Sequence, residues 1–172
     1  MFLNQNGIDT PGSVVFAGIE GTRPLLVEVQ ALVTKTCYPS PRRTVVGCDL
    51  NRLLTILAVL EARCKVSFAD RDVYLNIAGG FKISEPAGDL AIAISLISSR
   101  FNVSIPRGTC AFGEIGLTGE IRSVAKIADR VNEAKKLNFS NIIGPTCDEC
   151  DGIQSFKNVL ECAKKMFGKD EE

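Results

Sequence analysis

KISEPAGDLAIAIS, residues 82–95, is predicted to run from the end of a strand, through a tight turn at Pro86, into an apolar helix. Strand-to-helix turns often hold a catalytic nucleophile, because free N–H groups at a helix N-terminus stabilise an oxyanion. The turn is therefore either an active site or the remnant of one, and whether a nucleophile and a base are present distinguishes the two.

The chain on the N-terminal side of this turn is rich in strand patterns. SVVFAGIEGTRPLLVEVQALV, residues 13–33, predicts two strands joined by a turn, and alternate residues from Val27 to Val33 share one face of the second strand. A proline-containing loop, YPSPRRT at residues 38–44, then leads to a short strand at residues 45–46.

Asp49 is predicted to cap the clearest helix of the chain. Its apolar residues recur at helical spacing and are Leu50, Leu53, Leu54, Leu57 and Leu60. DVYLNIA at residues 72–78 and FKIS at residues 81–84 predict strands on either side of Gly79 and Gly80, a pair that suits a tight connection with positive φ.

On the C-terminal side of the turn, DLAIAISLISS predicts a second helix, and residues 109–124 predict two short strands around Gly116 and Gly119. A third helix is predicted to end near Asn138, before the buried strand NIIGP and a terminal helix. The third helix is marked by Ile127, Val131 and Ala134, and the terminal one by Ile153, Phe156, Val159, Leu160 and Ala163. This order predicts an α/β (α+β) fold, a mixed β-sheet with packed helices.

The composition is that of a soluble globular protein. The chain has 172 residues, of which 45% are hydrophobic and 23% charged, and we expect residues 1–172 to form a single domain. No apolar run reaches the roughly 18 residues that a membrane span needs. MFLNQNGIDTPG, at the start, lacks the pattern of a secretory signal, so we expect no membrane partner and a cytoplasmic location.

Charge and histidine content exclude several kinds of chemistry. The 20 basic and 20 acidic side chains cancel, so any nucleic-acid surface has to come from local clustering. The chain contains no histidine, which excludes Ser-His-Asp and Cys-His catalysis and any histidine-ligated metal within it. A nucleophilic enzyme of this sequence would need lysine as its base.

Seven cysteines are scattered through the chain, and their odd number favours buried, reduced thiols over a disulfide framework. They are Cys37, Cys48, Cys64, Cys110, Cys147, Cys150 and Cys162. CDEC, residues 147–150, has the spacing of a zinc half-site or a redox pair, and an ordinary reduced loop is the third interpretation. Because a second CxxC is missing, we predict no metal site.

Two blocks, EPAGDLAIAISLISS and FGEIGLTGEIRSVAKIADRVNEAKKLNF, resemble the proteolytic domain of Lon-type Ser-Lys peptidases. In that family the first block carries the nucleophilic serine and the second the lysine that serves as its base. Aligned on these blocks, the serine position is Ala87 and the lysine position is Ala128. The resemblance therefore implies a peptidase fold with no catalytic residue.

Neighbouring residues are not expected to replace the missing pair. Lys126 lies two positions before Ala128, and two positions on a helix rotate a side chain by about 200°. Ser84 lies three positions before Ala87, ahead of the turn. The inherited turn is thus predicted to be kept for packing.

Three further stretches are EGTRPLLVEVQALV, GCDLNRLLTILAVLEAR and DVYLNIAGGFKISEPAGDLA. They are similar to the C-terminal Lon-like domain of the bacterial DNA repair and recombination family RadA, also called Sms, over about Gly12 to Pro145. The resemblance implies a Lon-protease-like fold, similar to the second domain of a small-subunit ribosomal protein.

In that family a zinc-binding segment and an ATPase core precede the Lon-like domain. This sequence has neither a GxxxxGK[ST] phosphate loop nor an N-terminal cysteine quartet. We therefore expect an isolated C-terminal domain without cofactors, since the ATP and zinc of the family belong to the other domains.

Five arginines in loops and turns are the predicted DNA-binding residues, because guanidinium groups fork onto phosphate oxygens. They are Arg23, Arg42, Arg43, Arg52 and Arg122, and together they would form a cluster at one side of the sheet. The resemblance implies a non-proteolytic domain that binds DNA, especially single-stranded DNA, and assembles a ring, a hexamer, for recombination, branch migration and repair. A Ser-Lys peptidase and a pure oligomerisation module are the alternatives.

Overall fold

The computed structural model describes residues 10–168 and places seven of its strands in one mixed sheet, in the order β3-β4-β2-β1-β5-β8-β9. A separate two-stranded hairpin pairs β6 with β7. The strands are β1 Ser13–Glu20, β2 Arg23–Lys35, β3 Arg43–Val46, β4 Arg71–Ile77, β5 Thr109–Ala111, β6 Glu114–Ile115, β7 Ile121–Arg122, β8 Asn141–Gly144 and β9 Ile153–Ser155. The helices are α1 Leu50–Cys64, α2 Asp89–Phe101, α3 Ile127–Lys136 and α4 Val159–Phe167. The predicted fold class is confirmed.

The β1–β2 hairpin is the centre of the sheet and is buried on both faces. Val27 and Val29 point to one face and Leu26 to the other, and all three are at most 2% exposed. α2 and α3 both pack against β1 and β2, so these helices help to bury the hairpin. The predicted alternation along β2 is therefore correct, and the core forms around it.

Helix α1 begins as its sequence predicts, with the Asp49 carboxylate accepting a hydrogen bond from the Asn51 N–H at 3.4 Å. The helix then packs against α2 through one face. Leu50 and Leu54, two of the leucines at helical spacing, are each 42% exposed, whereas Leu53 and Leu60 are fully buried. No helix within residues 10–168 is long and apolar enough to cross a bilayer.

Two predicted elements are wrong. Residues 81–84 form no strand. Gly79 and Gly80 turn the chain just before this segment, with φ of +70° and +69°, and the segment is held by a bond from the Ile83 N–H to the Gly47 carbonyl at 2.7 Å. The terminal helix does not begin at Ile153, since residues 153–155 extend the sheet as β9. Its true start is at Asn158, whose side chain caps α4.

Candidate nucleic-acid interface and the closed catalytic turn

The turn at Pro86 is a single 3-10 turn, Pro86–Gly88, that leads directly into α2. Backbone bonds join it to Gly113, which lies between β5 and β6: the Gly113 N–H donates to the Ala87 carbonyl at 2.8 Å, and the Leu90 N–H donates to the Gly113 carbonyl at 3.0 Å. Ala87 itself is 3% exposed. The residue at the nucleophile position is therefore a buried packing residue.

Three N–H groups at this turn already have acceptors. The Gly88 N–H donates to the Glu85 carbonyl and the Asp89 N–H to the Pro86 carbonyl, which completes the 3-10 turn. The Leu90 N–H donates to the Gly113 carbonyl. Because a working oxyanion hole needs donors free to meet the substrate, these three groups form a closed structural turn.

One ion pair holds the N-terminal side of the turn. The Arg130 guanidinium, 1% exposed, donates to both carboxylate oxygens of Glu85, at 2.8 Å from Nη1 and 3.0 Å from Nη2. It also donates to the Ala17 carbonyl at 2.8 Å and the Ala125 carbonyl at 2.9 Å. Glu85 accepts a further bond from the Ile19 N–H at 3.1 Å, so this pair ties the turn to β1 and α3.

A second ion pair holds the C-terminal side. Asp89, with a side chain 2% exposed, accepts from Arg52 Nε at 2.6 Å and from Arg52 Nη2. Its second oxygen also accepts the Ile115 N–H at 3.0 Å, which links the turn to α1 and β6. The side chain of Arg52 is 33% exposed, and its guanidinium is engaged inside the protein.

The lysine position of the resemblance, Ala128, is an exposed residue in the first turn of α3. The predicted rotation assumed that Lys126 is part of the helix. In the structure Lys126 lies before the helix and caps α3 in the left-handed conformation, with φ +57°. Ser84 is exposed ahead of the turn. We name this region, from Glu85 to Asp89 with Arg52 and Arg130, the turn end.

The five predicted arginines divide between the two ends of the sheet. Arg43 is paired with Val73, which is paired with Val33, ten positions along β2 from Arg23. At about 3.3 Å per residue these positions lie roughly 30 Å apart along the strand. Arg52 lies at the turn end, and the β6–β7 hairpin that carries Arg122 is linked to it by the bond from the Ile115 N–H to Asp89. The five side chains therefore do not form one cluster.

Arg42 and Arg43 lie instead at the opposite end of the sheet, in a group rich in basic and aromatic side chains. We name it the basic end, and its members are Lys35, Tyr38, Arg42, Arg43, Arg71, Arg100 and Phe101. Arg42 is exposed and stacks over the Tyr38 ring, with 3.9 Å between guanidinium carbon and ring centroid. Tyr38 is itself 43% exposed.

The Arg43 guanidinium binds backbone carbonyls at this end of the sheet instead of projecting into solvent. Its Nη1 donates to the Arg71 carbonyl, and its Nη2 donates to the Phe68 carbonyl at 2.8 Å. The Arg42 N–H donates to the Asp72 carboxylate at 2.8 Å, which fixes the backbone from which the Arg42 side chain projects. The two neighbouring arginines therefore differ, one fastening the loop and the other available to a ligand.

The end of α2 brings a second arginine–aromatic pair to the basic end. Arg100 donates to the Ser67 carbonyl at 3.0 Å, and its guanidinium carbon lies 5.4 Å from the Phe101 ring centroid. Phe101 is 49% exposed. Asp70, 62% exposed and 3.4 Å from Arg71, partly offsets the positive charge here.

Sequence reasoning did not identify the other members of the basic end, which are Lys35, Arg71, Arg100 and Phe101. The end of β2 pairs with the start of β4, and Arg100 at the end of α2 bonds to Ser67 in the loop before β4, so the grouping depends on tertiary contacts. Tyr38 could have been found, since it belongs to the same YPSPRRT loop as Arg42.

The cysteines are all free thiols, but only Cys110 and Cys162 are buried. Burial raises the pKa of each of these two thiols to about 12. Partial burial and the neighbouring Cys147 thiol raise the pKa of Cys150. The expectation of buried thiols thus fails for the exposed Cys37, among others, and residues 10–168 contain no group of three or more acidic, cysteine or histidine side chains that could hold a metal ion.

Comparison with known proteins identifies the family. A family model described as subunit ChlI of Mg-chelatase matches residues 50–148. The DNA repair protein RadA of Brucella abortus (strain 2308) is 52% identical over 139 residues, 81% of this chain and 30% of that protein. The chain belongs to the RadA family.

Other RadA proteins align over still more of the chain. RadA of Rickettsia bellii (strain RML369-C) is 53% identical over 143 residues, 83% of this chain and 32% of that protein. RadA of Bacillus subtilis (strain 168) is 45% identical over 175 residues, 98% of this chain and 38% of that protein. The chain thus spans about a third of the length of the curated relatives it matches.

Proposed function

We propose that this RadA-family domain is a non-proteolytic module that binds DNA, single strands above all, through the basic end, and that it assembles into a ring, a hexamer. Its role is in recombination, branch migration and repair. The observation that carries the proposal is the exposed Arg42–Tyr38 stack, at 3.9 Å, with Arg100 and Phe101 at the same end.

The chemistry of the basic end suits single strands. Arginine side chains neutralise phosphates without regard to sequence, and exposed aromatic rings offer surfaces on which unpaired bases stack. Tyr38 and Phe101, 43% and 49% exposed, provide two such surfaces beside basic side chains. The bases of a duplex stay stacked on each other, so a duplex would bind only through contacts between its phosphates and the basic side chains.

The turn end supports the non-proteolytic part of the proposal. Alanine stands at both positions of the dyad, and the N–H groups of Gly88, Asp89 and Leu90 donate to backbone carbonyls. ATP and zinc are assigned to the parts of the longer family proteins that this chain does not span. In this proposal the domain contributes binding contacts, and any catalytic activity belongs to other parts of the longer family proteins.

Fluorescence anisotropy with a labelled 30-nucleotide oligo-dT tests DNA binding by the 172-residue chain. We expect the Tyr38→Ala, Arg42→Ala double variant to bind about tenfold or more weakly than the wild type, because stacking and a phosphate contact are both lost. The salt slope should fall by about 0.7 for the lost contact on a single strand. The matched control is the Arg23→Ala, Arg122→Ala double variant, which removes two exposed arginines elsewhere.

The two double variants separate the alternatives. Equal losses in both would show that any exposed arginine contributes to binding and that the basic end has no special role. No binding by the wild type at low salt would favour the pure oligomerisation module. Both variants should retain the wild-type melting temperature, since the altered side chains are exposed.

A further inference from the structure

Two cysteines lie close together on the loop that joins β8 to β9, which belongs to neither the basic end nor the turn end. Cys147 and Cys150 are both half-buried, and the chain bends at Asp148 and Glu149 between them. The bend brings the two side chains together: after burial, a hydrogen bond with Cys147 is the next cause that raises the pKa of Cys150. The two thiols are therefore within reach of each other.

Both ends of this loop are fastened to the folded domain. Pro145, at the start, is buried, and its carbonyl accepts a hydrogen bond from the Ser155 hydroxyl at 3.2 Å. At the far end, the Lys135 ammonium donates to the Asp151 carbonyl at 2.9 Å. The loop thus holds the two thiols near each other before any reaction, which lowers the entropy cost of joining them.

Lys135 reaches the loop from the last turn of α3 and brings a positive charge to the cysteine pair. Gly152, with φ +90°, leaves space for this side chain, since a Cβ there would lie 3.1 Å from the Lys135 Cε atom. Burial raises the pKa of Cys150, and the Lys135 charge acts in the opposite direction. A cation beside a thiol favours the thiolate, which is the reactive form in disulfide exchange.

The other cysteines are less suited to this reaction. Burial raises the pKa of Cys110 and Cys162 to about 12 and that of Cys48 to about 11, so these thiols hold their protons at neutral pH. Burial also raises the pKa of Cys64. Cys37 is exposed and follows the end of β2, so it is the accessible thiol with which the pair can be compared.

The loop lies at the opposite end of the sheet from the basic end. β8 runs parallel to β5, and β5 runs parallel to β1, so the loop after β8 lies at the end of the sheet where β1 finishes. The basic end lies where β2 finishes, and β2 is antiparallel to β1. A reaction at the loop therefore goes beyond the proposed DNA contacts and can be tested apart from them.

We infer that Cys147 and Cys150 form a reversible disulfide when the domain meets a low-molecular-weight disulfide such as oxidised glutathione, with Lys135 as the positioning residue. One thiolate of the pair attacks a sulfur of the oxidant, which forms a mixed disulfide and releases one reduced thiol. The second protein thiol loses its proton, attacks the protein sulfur of the mixed disulfide and releases the second reduced thiol. The protein pair loses two electrons, and the oxidant is reduced to two thiols.

Peptide mass spectrometry tests the disulfide, because trypsin cleavage after Lys136 and Lys157 releases residues 137–157, which contain the pair and no other cysteine. The folded 172-residue chain is incubated with equal concentrations of oxidised and reduced glutathione, blocked with N-ethylmaleimide and digested. We expect the internal disulfide, a peptide lighter than the reduced one by two hydrogens. Its ratio of oxidised to reduced form should be about tenfold or more above that of the Cys37 peptide, because the second step of the pair is intramolecular.

Single cysteine variants test whether the two thiols act together. Cys147→Ser and Cys150→Ser should each leave a thiol that forms only a mixed disulfide with glutathione, and its ratio of oxidised to reduced form should fall to that of Cys37. Cys37→Ser is the matched control and should leave the oxidation of the pair unchanged.

Lysine variants test the positioning residue. Lys135→Met should slow formation of the internal disulfide about threefold, because the cation that favours the thiolate is lost. Lys135→Arg keeps the charge and a donor and should react at the wild-type rate. The matched control is Lys136→Met, at the next residue of α3, which should also react like the wild type.

Two results would overturn the inference. A peptide 137–157 that carries only mixed disulfides with glutathione, or that is no more oxidised than the Cys37 peptide, means that the loop does not join its thiols. Equal rates for Lys135→Met and Lys136→Met remove Lys135 from the site. DNA binding, measured separately with the basic-end variants, is affected by neither result.

Discussion

The turn end and the basic end are both rich in arginine, yet they use it in opposite ways. At the turn end Arg130 and Arg52 hold carboxylates, and the paired Glu85 and Asp89 are 27% and 2% exposed. At the basic end Arg42 stacks on an exposed tyrosine, and its side chain faces solvent. Arginine count along the sequence therefore predicts neither role; the role depends on which groups the tertiary structure brings to each guanidinium, a carboxylate for Arg130 and Arg52 and a tyrosine ring for Arg42.

The difference has a physical cause. A buried guanidinium is tolerated only when its donors are satisfied, and Arg130 has four acceptors within 3.0 Å. An exposed guanidinium keeps its donors in water and can exchange them for phosphate oxygens. The guanidinium groups of the turn end thus stabilise the fold through ion pairs, whereas the Arg42 guanidinium at the basic end remains available to a ligand.

The largest expected effect comes from removing Arg130. Arg130→Met should lower the free energy of unfolding by about 3–5 kcal/mol, because Glu85 loses both of its ionic hydrogen bonds and two carbonyls lose a donor. Urea denaturation measures this loss. Arg122→Met, at a side chain 60% exposed, is the matched control and should change stability by about 0.5 kcal/mol or less.

An equal, small effect in both variants would contradict the assignment of Arg130 as a structural residue. In that case the turn would be held by its backbone bonds alone, and the contrast between the two ends would lose its energetic basis.

Local sequence pattern predicted most of the secondary structure. The alternation of Val27 to Val33 and the Asp49 cap depend on neighbours in sequence, and both are correct. The failure at residues 153–155 has a different origin, since an extended segment of three residues is stabilised only by its pairing with β8. Short edge strands of this kind carry no periodicity that the sequence could reveal.

The candidate sites were harder to predict than the fold. The alanines at positions 87 and 128 follow from the resemblance, but the Glu85–Arg130 and Asp89–Arg52 pairs join residues 45 and 37 positions apart. Nor could sequence show that Arg42 lies far from Arg23, because that distance depends on the register of three strands. Contacts of this kind come from tertiary structure.

A smaller effect is expected at the second ion pair. Arg52→Ala should lower the free energy of unfolding by about 2 kcal/mol, because Asp89 stays buried with one remaining donor, the Ile115 N–H, and Arg52 is already partly exposed to water. The double variant Arg52→Ala, Asp89→Asn should be no less stable than Arg52→Ala. A double-mutant cycle measures the coupling, and additive losses at the two residues would contradict a direct interaction.

The smallest expected effect is on catalysis, where we predict none. Ala87→Ser combined with Ala128→Lys would place both groups of a Ser-Lys dyad at the positions that the resemblance gives, yet fluorogenic peptides and casein should remain uncut. A serine at position 87 is buried, and the nearby N–H groups of Gly88, Asp89 and Leu90 already donate to carbonyls, so neither an accessible nucleophile nor a free oxyanion hole results. The single variants serve as controls, since members of a dyad act as a unit. Turnover that appears in the double variant alone, after contaminating proteases are removed, would mean that the turn end is a dormant active site, and the contrast with the basic end would then be one of missing side chains and not of a closed backbone.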